Sequence, residues 1–146
     1  MSDIPATGSK DNWSPQLAVG PDNRPQAVWT GFDGSDQVYY NSGLGTGWGE
    51  PVRLSTTGAG YSPRIAVDPN GYAHVVWYGY SGTEDEIFYS TNASGSWVAE
   101  PLPTAPFAGR PALAIAPSGA VHIVYPAEGS KPGLYHLTNA SGSWVS

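Results

Sequence analysis

Residues 63–78 read PRIAVDPNGYAHVVWY, and they contain the unit from which most of the chain is built. Two short runs rich in β-branched and aromatic residues flank the turn sequence DPNG, a pattern that predicts a β-hairpin. The same pattern occurs at residues 15–30, PQLAVGPDNRPQAVWT, and at residues 111–126, PALAIAPSGAVHIVYP, with a constant spacing of 48 residues. The chain is therefore a threefold repeat.

Each repeat contains four predicted strands, which in the second repeat are expected at residues 64–67, 73–78, 86–90 and 97–102. Four antiparallel strands every 40–50 residues or so are typical of a β-propeller blade. A β-sandwich would not repeat its sequence at a fixed period. The predicted fold class is all-β, a β-propeller with three four-stranded blades per chain. Blade 1 is expected at residues 14–58, blade 2 at 62–106 and blade 3 at 110–146.

The two chain ends predict how a ring of blades closes. The third repeat stops within its fourth strand, whereas residues 2–8, SDIPATG, precede the first repeat and read like VRLSTTG at residues 52–58. We therefore expect residues 2–9 to form the outer strand that completes the last blade. Because propellers typically have 4–8 blades, we expect a homodimer with a six-bladed ring, in which each N-terminal strand completes the partner's last blade. The alternative is a fragment of a longer propeller.

The composition excludes several protein classes. The 146 residues form one predicted domain, residues 1–146, in which 19 Gly and 14 Pro exclude long helices and coiled coils. The sequence has no apolar run of membrane-spanning length, and its net charge of −6 argues against nucleic acid, so neither membrane nor nucleic acid is an expected partner. No cysteine is present, which excludes disulfides and thiolate metal sites. The N-terminus shows no secretory signal, and the localisation is therefore unknown.

The turn between the third and fourth predicted strands carries a family resemblance. Residues 90–97, STNASGSW, resemble the Asp-box, Ser-x-Asp-x-Gly-x-Thr-Trp, of sialidase-type (BNR) propellers: Ser90 and Trp97 match, and Asn92 replaces the Asp. In that family the box is a structural turn remote from the catalytic face, so the resemblance implies a fold and not a chemistry. The period and strand layout also resemble those of bacterial propeller lectins of the Photorhabdus type.

An enzyme is the less favoured interpretation. The sialidase resemblance implies an arginine triad, but only Arg64 and Arg110 are expected at equivalent positions, and Gln16 stands there in the first repeat. The acidic run at residues 84–86 could hold two glycosidase carboxylates, although neighbours on a strand point to opposite faces. We therefore predict no catalytic residue.

Metal binding is also not predicted. His74 and His122 are repeat-equivalent, and His136 lies on a third strand. Residues of separate blades are dispersed around a ring, whereas zinc needs three or four converging ligands. Asp68 or residues 84–86 could bind calcium, but neither has the spacing of a known calcium loop. No cofactor is therefore expected.

Aromatic residues give the leading functional hypothesis. Trp48, Trp97 and Trp144 recur at one position of each repeat and are expected to pack between blades. The opposite face from the hairpins is expected to gather further rings beside basic side chains, as in carbohydrate sites with a few placed polar groups. The predicted ligand-binding residues are Trp13, Tyr61, Phe107, Arg64, Arg110, Tyr78, Tyr80 and Trp77.

These residues predict a non-catalytic, lectin-like propeller that binds glycans at several shallow blade-junction sites, with avidity from their repetition. Its expected partners are glycans and a second copy of the chain. One alternative is a half-propeller or oligomerising scaffold without a sugar ligand, in which Trp13, Tyr61 and Phe107 only fill the gaps between blades. A second alternative is a remnant or a complete form of a sialidase-like glycosidase.

Overall fold

The computed structural model describes residues 3–5, 11–45, 47–56 and 58–146. The first sheet contains β1 (Asn12–Val19), β2 (Pro25–Phe32), β3 (Asp36–Leu44), β4 (Gly47–Trp48) and β5 (Val52–Arg53). The second sheet contains β6 (Gly60–Val67), β7 (Ala73–Tyr80), β8 (Asp85–Thr91) and β9 (Glu100–Pro101). The third sheet contains β10 (Ala112–Ile115), β11 (Val121–Ala127) and β12 (Gly133–Thr138). Within these residues, no helix is long and apolar enough to cross a bilayer.

All three sheets are antiparallel meanders. Their strand orders are β1-β2-β3-β4 with β5 also on β3, then β6-β7-β8-β9, and β10-β11-β12. This confirms an all-β array of three sheets of about four strands. The predicted outer strand at residues 2–9 lies outside the described residues except for residues 3–5.

The fourth strands are shorter than predicted. Residues 97–102 were expected as one strand, but only Glu100–Pro101 pairs with β8. In the first sheet the same region is split into β4 and β5, and in the third it is reduced to the bridge between Thr138 and Val145. Prolines contribute to this shortening in the first two sheets, because proline cannot donate a ladder hydrogen bond and is confined to sheet edges.

The hairpins that join the first and second strands of each sheet, here called the inner hairpins, have the turn geometry that the sequence predicts. Gly71 has φ +89° and its N–H donates to Asp68 O at 3.0 Å, while Asp68 N–H donates to Tyr72 O at 2.9 Å. The turn therefore needs one left-handed residue, which glycine adopts without a steric penalty. Gly119 takes this place in the third sheet and Asn23 in the first, with φ +86° and +58°.

The turn that follows the third strand is hydrogen-bonded to the start of the second strand of the same sheet. Asn92 Oδ1 accepts a hydrogen bond from Ala73 N at 2.8 Å, and Asn139 Oδ1 accepts one from Val121 N at 2.8 Å. Each donor is the first residue of the second strand of its sheet, β7 or β11, and both residues are buried. Each asparagine thus satisfies a backbone N–H that would otherwise be buried without a partner.

The core lies between the sheets and not within them. At the first junction, between the first and second sheets, Val28, Val38 and Tyr40 pack with Val75 and Trp77. The second junction, between the second and third sheets, is built in the same way from alternate residues of β7 and β8. Its buried residues include Val76, Ile87, Tyr89, Val121, Ile123, Tyr125 and Leu137. Because side chains alternate along a strand, the second sheet buries both of its faces.

The repeated tryptophans pack between neighbouring sheets, which confirms that prediction for two of the three. The Trp97 ring lies 4.7 Å from that of Tyr40 in the first sheet, and the Trp144 ring lies 5.0 Å from that of Tyr89 in the second. Each tryptophan therefore covers a tyrosine of the preceding sheet. Trp48 occupies the same position in the first sheet and is half-buried.

Candidate functional site

One face of the array carries the chain segments that link the sheets. These segments lie beside the ends of β2, β7 and β11, because Phe32 N donates to Asp11 O, Tyr80 N to Ala59 O and Glu128 N to Phe107 O, at 3.2, 3.3 and 3.2 Å. The loops that leave β2, β7 and β11 lie on this face too. We call this surface the linker face; the inner hairpins lie at the opposite ends of the strands.

The strand register shows which of the three aromatic linker residues, Trp13, Tyr61 and Phe107, share a position. Trp13 stands opposite Thr30 and Tyr61 opposite Tyr78, so these two do share a position. In the third repeat that position belongs to Gly109, whose N–H donates to Pro126 O at 2.8 Å. Phe107 therefore lies two residues earlier, at the position of Ala59, since both accept a bond from the end of a second strand.

A concave pocket of about 490 Å³ opens on the linker face at the second junction. Phe107 is its exposed aromatic wall, with 54% of its surface accessible and a left-handed backbone at φ +57°. The ring of Tyr61 has no counterpart here, because Gly109 has no side chain to fill the gap. The pocket is lined by Tyr78, Asp85, Phe107, Ala108, Gly109, Arg110, Pro126, Glu128 and Gly129.

The polar groups of this pocket are available for a ligand. Arg110 and Glu128 are exposed, and Asp85 is half-buried. Asp85 is held in place through its backbone, whose carbonyl accepts a bond from Ala108 N at 3.1 Å. Among the residues that the structure describes, the side chains of Arg110 and Glu128 form no hydrogen bond or ion pair. The pocket thus combines an apolar ring with one cationic and two anionic groups.

The first junction is closed at the corresponding place. The rings of Tyr61 and Tyr78 lie 5.4 Å apart at an angle of 32°. Burial raises the pKa of Tyr61, and the nearby carboxylates of Asp36 and Asp85 raise it further, so its hydroxyl stays protonated. Tyr61 therefore fills the space that is open at the second junction.

Two predicted ligand residues are placed away from this pocket. Trp77 is only 1% exposed and stacks on Phe88 at 5.9 Å in the first-junction core, so it cannot contact a ligand on the surface. The prediction for Trp77 is corrected because alternation along β7 turns it inward while Tyr78 turns toward the pocket. Arg64 stands on β6 opposite Val76, where its Nη1 donates to Pro63 O at 2.9 Å.

The expected equivalence of the two arginines is also corrected. The position of Arg64 is occupied by Ala112 in the third sheet, opposite Val124, and Arg110 lies two residues before it. Tyr80 is exposed at the end of β7, and Trp13 lines a separate cavity of about 250 Å³ next to Ile4. The second-junction pocket therefore brings together Phe107, Arg110 and Tyr78 from the predicted set.

The sequence interpretation missed the two carboxylates of the pocket. Residues 84–86 were considered only for glycosidase carboxylates and for calcium, and neither they nor Glu128 were predicted as ligand-binding residues. The signal was present, because both acidic residues flank loops that leave a second strand toward the linker face. For metal, the described part of the chain contains no group of three His, Cys, Asp or Glu side chains that could hold an ion.

No protein-family model matches the sequence, and no curated protein matches it. Solved structures do match the fold. A Hadza microbial sialidase matches over 93% of this chain with a TM-score of 0.70 and 10% identity. A protein of unknown function from Dyadobacter fermentans matches over 99%, with a TM-score of 0.66 and 14% identity. An endo-arabinase from Bacteroides thetaiotaomicron matches over 86%, with a TM-score of 0.60 and 17% identity.

The chain has part of a sialidase-like propeller fold. It spans 37% of the length of the sialidase, 56% of the Dyadobacter protein and 55% of the endo-arabinase. At these identities the likeness concerns the fold alone. The chemistry of the chain has to be argued from its own pocket, since one fold hosts many functions.

Proposed function

We propose that the chain is a non-catalytic carbohydrate-binding protein whose second-junction pocket takes a neutral sugar. The observation that carries this proposal is the exposed Phe107 ring beside the unpaired side chains of Arg110 and Glu128 in one concave pocket. An aromatic ring stacks on the C–H face of a sugar, and charged groups that already lie in the pocket hydrogen-bond its hydroxyls. Shallow pockets of this kind bind weakly on their own.

The charge of the pocket favours a neutral ligand. Asp85 and Glu128 supply two carboxylates against the one guanidinium of Arg110. An acidic sugar would bring a further negative charge to these carboxylates, and like charges at short distance repel. Two other arginines are held elsewhere, because Arg24 pairs with Asp22 at 3.4 Å and Arg53 with Asp33 at 3.1 Å. The proposed ligand is therefore an uncharged hexose or pentose unit of a glycan.

We further propose that two chains close a six-bladed ring, with residues 2–9 as the outer strand of the partner's last blade. A ring would cover the apolar sheet faces at both ends of the array, where Leu17 and Leu134 are exposed. It would also present two copies of the pocket on one linker face, and linked sites gain avidity without any new contact. The proposed function is thus multivalent binding to repeated glycans.

A glycosidase is the second candidate, because Asp85 and Glu128 line the same pocket. Glycoside hydrolysis commonly uses two carboxyl groups on either side of the scissile bond. Incubation of neutral oligosaccharides with the wild-type chain and with Asp85→Asn separates the two candidates. Release of reducing ends by the wild type and not by the variant would favour the enzyme over the binding protein.

The direct test of sugar binding is a glycan-array screen followed by calorimetry with the free sugar. We expect binding to neutral glycans, and we expect Phe107→Ala to weaken it about tenfold, which corresponds to about 1.4 kcal/mol and lies within the range of one aromatic contact. Phe32→Ala is the matched control, since Phe32 is a similarly exposed ring outside the pocket. A blank array at high protein concentration would overturn the proposal, as would equal affinities of the wild type and Phe107→Ala.

A further inference from the structure

Each sheet carries one polar pair at the same place on its second and third strands. The strand register places the first members of the three pairs, Gln26, His74 and His122, at equivalent positions on the second strands. It places their partners, Tyr40, Tyr89 and His136, at equivalent positions on the third strands. Each pair is joined by a side-chain hydrogen bond. The pairs are Gln26–Tyr40 at 2.8 Å, His74–Tyr89 at 2.6 Å and His122–His136 at 3.1 Å.

The first two pairs are covered and the third is not. Trp97 lies over Tyr40, and Trp144 lies over Tyr89. His136 occupies the same position in the third sheet and is exposed, with its ring stacked on that of His122 at 5.3 Å and 6°. The tryptophan that would cover His136 in the repeat pattern is the counterpart of Trp97 and Trp144 on a following sheet.

Apolar residues around this pair are also uncovered. Leu134 is 75% exposed, although its equivalents Val38 and Ile87 are fully buried in the two junctions. At the other end of the array Leu17 is 63% exposed, whereas its equivalent Ile65 packs into the first-junction core. The two ends of the array therefore correspond to the two halves of a junction of the same design; on the first sheet Leu17 is exposed, while Trp29 and Tyr39 are 5% and 3% exposed.

We infer that the open face of the third sheet docks on the first sheet of a second copy, whose Trp48 covers the His122–His136 pair, and that this joint forms only while both histidines are neutral. The inference rests on the ring closure proposed above. It adds the contact between the two copies that closes the ring and the change in histidine charge that opens it. A second copy is the occupant because the first sheet presents the missing half of the junction, including Trp48 at the position of Trp97 and Trp144.

The pH dependence follows from the geometry of the pair. With both rings neutral, one ring nitrogen donates its proton to the other across the 3.1 Å between His122 Nδ1 and His136 Nε2. With both rings protonated, two N–H groups face each other and two positive charges must be removed from water. Histidine commonly changes charge between about pH 5 and pH 8, so mild acid opens such a joint.

No carboxylate is placed to neutralise these charges within the described residues. The same face of β10 carries Ala112 and Ala114, while Glu128 and Lys131 lie in the loop between β11 and β12, at the linker-face end of these strands. Behind the third sheet, Glu100 Oε1 already accepts a bond from Trp144 Nε1 at 3.2 Å.

The first sheet of the second copy carries Asp22, Asp33 and Glu50. Asp22 pairs with Arg24 at 3.4 Å, and Glu50 is exposed two residues after Trp48. Asp33 Oδ2 is bound by Tyr39 Oη at 2.6 Å and Arg53 Nη1 at 3.1 Å. The covered residue at the position equivalent to His122 also supports the requirement that the histidine rings be neutral. Burial lowers the pKa of His74, which sits at the His122 position in the covered second sheet, although Asp68 opposes this shift.

Sedimentation velocity of the full chain at about pH 8 and about pH 5.5 tests the inference. The wild type should be a dimer at the higher pH, and its dissociation constant should rise at least about tenfold at the lower pH. The double variant His122→Gln with His136→Tyr copies the Gln26–Tyr40 pair and should remain dimeric at both pH values. Each single variant keeps one titratable ring and should show a smaller rise than the wild type. Trp48→Ala should be monomeric throughout, and Tyr72→Ala, an exposed hairpin residue, is the control.

The outcomes separate this inference from the ring proposal. A wild type that is monomeric at both pH values, with native circular dichroism, would overturn ring closure and the inference together. A wild type that is equally dimeric at both would overturn the pH dependence and leave ring closure standing. A dimeric Trp48→Ala variant at about pH 8 would overturn the contact with the histidine pair.

Discussion

The two junctions of this molecule have the same backbone and different surfaces. At the first junction Tyr61 stacks on Tyr78 and closes the linker face, whereas at the second junction Gly109 leaves a pocket of about 490 Å³. The strand register places Tyr61 and Gly109 at one position, and it places Phe107, the aromatic wall of the pocket, at the position of Ala59. A repeat can thus keep its core residues for stability and vary its linker-face residues for binding.

The largest expected effect is on stability and comes from truncation of the buried aromatic residues that form the core of both junctions. Trp77→Ala and Tyr125→Ala each remove the central aromatic of a junction, both 1% exposed. Truncation of a buried aromatic residue costs about 3–5 kcal/mol of unfolding free energy. We expect a loss of this size at both junctions in urea unfolding followed by circular dichroism. Tyr125→Ala should cost at least as much as Trp77→Ala, because Ala105 N also loses its acceptor, the Tyr125 hydroxyl.

Tyr80→Ala is the control for these two variants, since an exposed residue should change the unfolding free energy by no more than about 0.5 kcal/mol. A loss below about 1 kcal/mol in Trp77→Ala would contradict a core located between the sheets.

The next effect concerns the asparagines that tie each sheet to its turn. Asn92→Ala removes the acceptor of Ala73 N at the first junction, and Asn139→Ala removes that of Val121 N at the second. A buried N–H without a partner costs about 1–3 kcal/mol. We expect both variants to lose this much, and Asn92→Asp to lose less, because a carboxylate oxygen can still accept the bond. Equal losses in Asn92→Ala and Asn92→Asp would show that the acceptor is unimportant.

Exchange of one side chain between the junctions sharpens the comparison. Gly109→Tyr should close the second-junction pocket and weaken sugar binding by at least about tenfold, or 1.4 kcal/mol, in calorimetry. A Cβ at Gly109 would meet Pro126 Cγ at 3.1 Å and Pro126 O at 3.5 Å, so the Pro126 ring has to shift slightly to accept the new side chain. Tyr61→Gly is the reciprocal variant and should open the first junction without loss of the existing site. Unchanged affinity in Gly109→Tyr, with native circular dichroism, would place the sugar elsewhere.

The smallest expected effect is on the pH dependence of stability, which should differ between the His74–Tyr89 pair and the Gln26–Tyr40 pair. His74 has a pKa below its ordinary value because burial disfavours its charged form, so the folded chain binds this proton less readily than the unfolded chain. Its contribution to stability is therefore present above the ordinary histidine pKa of about 6.5 and is lost as the pH falls. His74→Gln, the residue type of the first sheet, should reduce the loss of stability on acidification in urea titrations. An unchanged dependence on pH would assign the effect to other groups.

Much of the fold follows from local patterns. The 48-residue spacing, the hairpin turns and the period-2 alternation are properties of short segments, and each predicted the observed sheets. The fourth strands were predicted too long, because their pairing depends on edge contacts and prolines that strand propensity describes poorly. The packing of Trp97 and Trp144 between sheets was predictable, since a large residue repeated at one position of each unit has the same neighbours each time.

The candidate site was predicted only in part, for a geometric reason. Tyr61 and Phe107 were both expected as aromatic residues of the blade junctions, but the backbone register gives the position of Tyr61 to Gly109. Trp77 and Tyr78 are adjacent in the sequence, and only the packing shows which of them faces the core. Asp85 and Glu128 lie 43 positions apart, and they line one pocket because neighbouring sheets bring their loops together.

The amino-acid sequence alone determined the repeat, the number of sheets and the strand-turn-strand unit, because these depend on residues close together in the chain. The tertiary structure alone decided which repeated residues are covered and which are open. Val38, Ile87 and Leu134 hold one position in three sheets, yet Leu134 is 75% exposed while the other two are fully buried. Burial is a property of the neighbour that packs against a residue, and that neighbour comes from a different part of the chain or, as we propose, from a second copy.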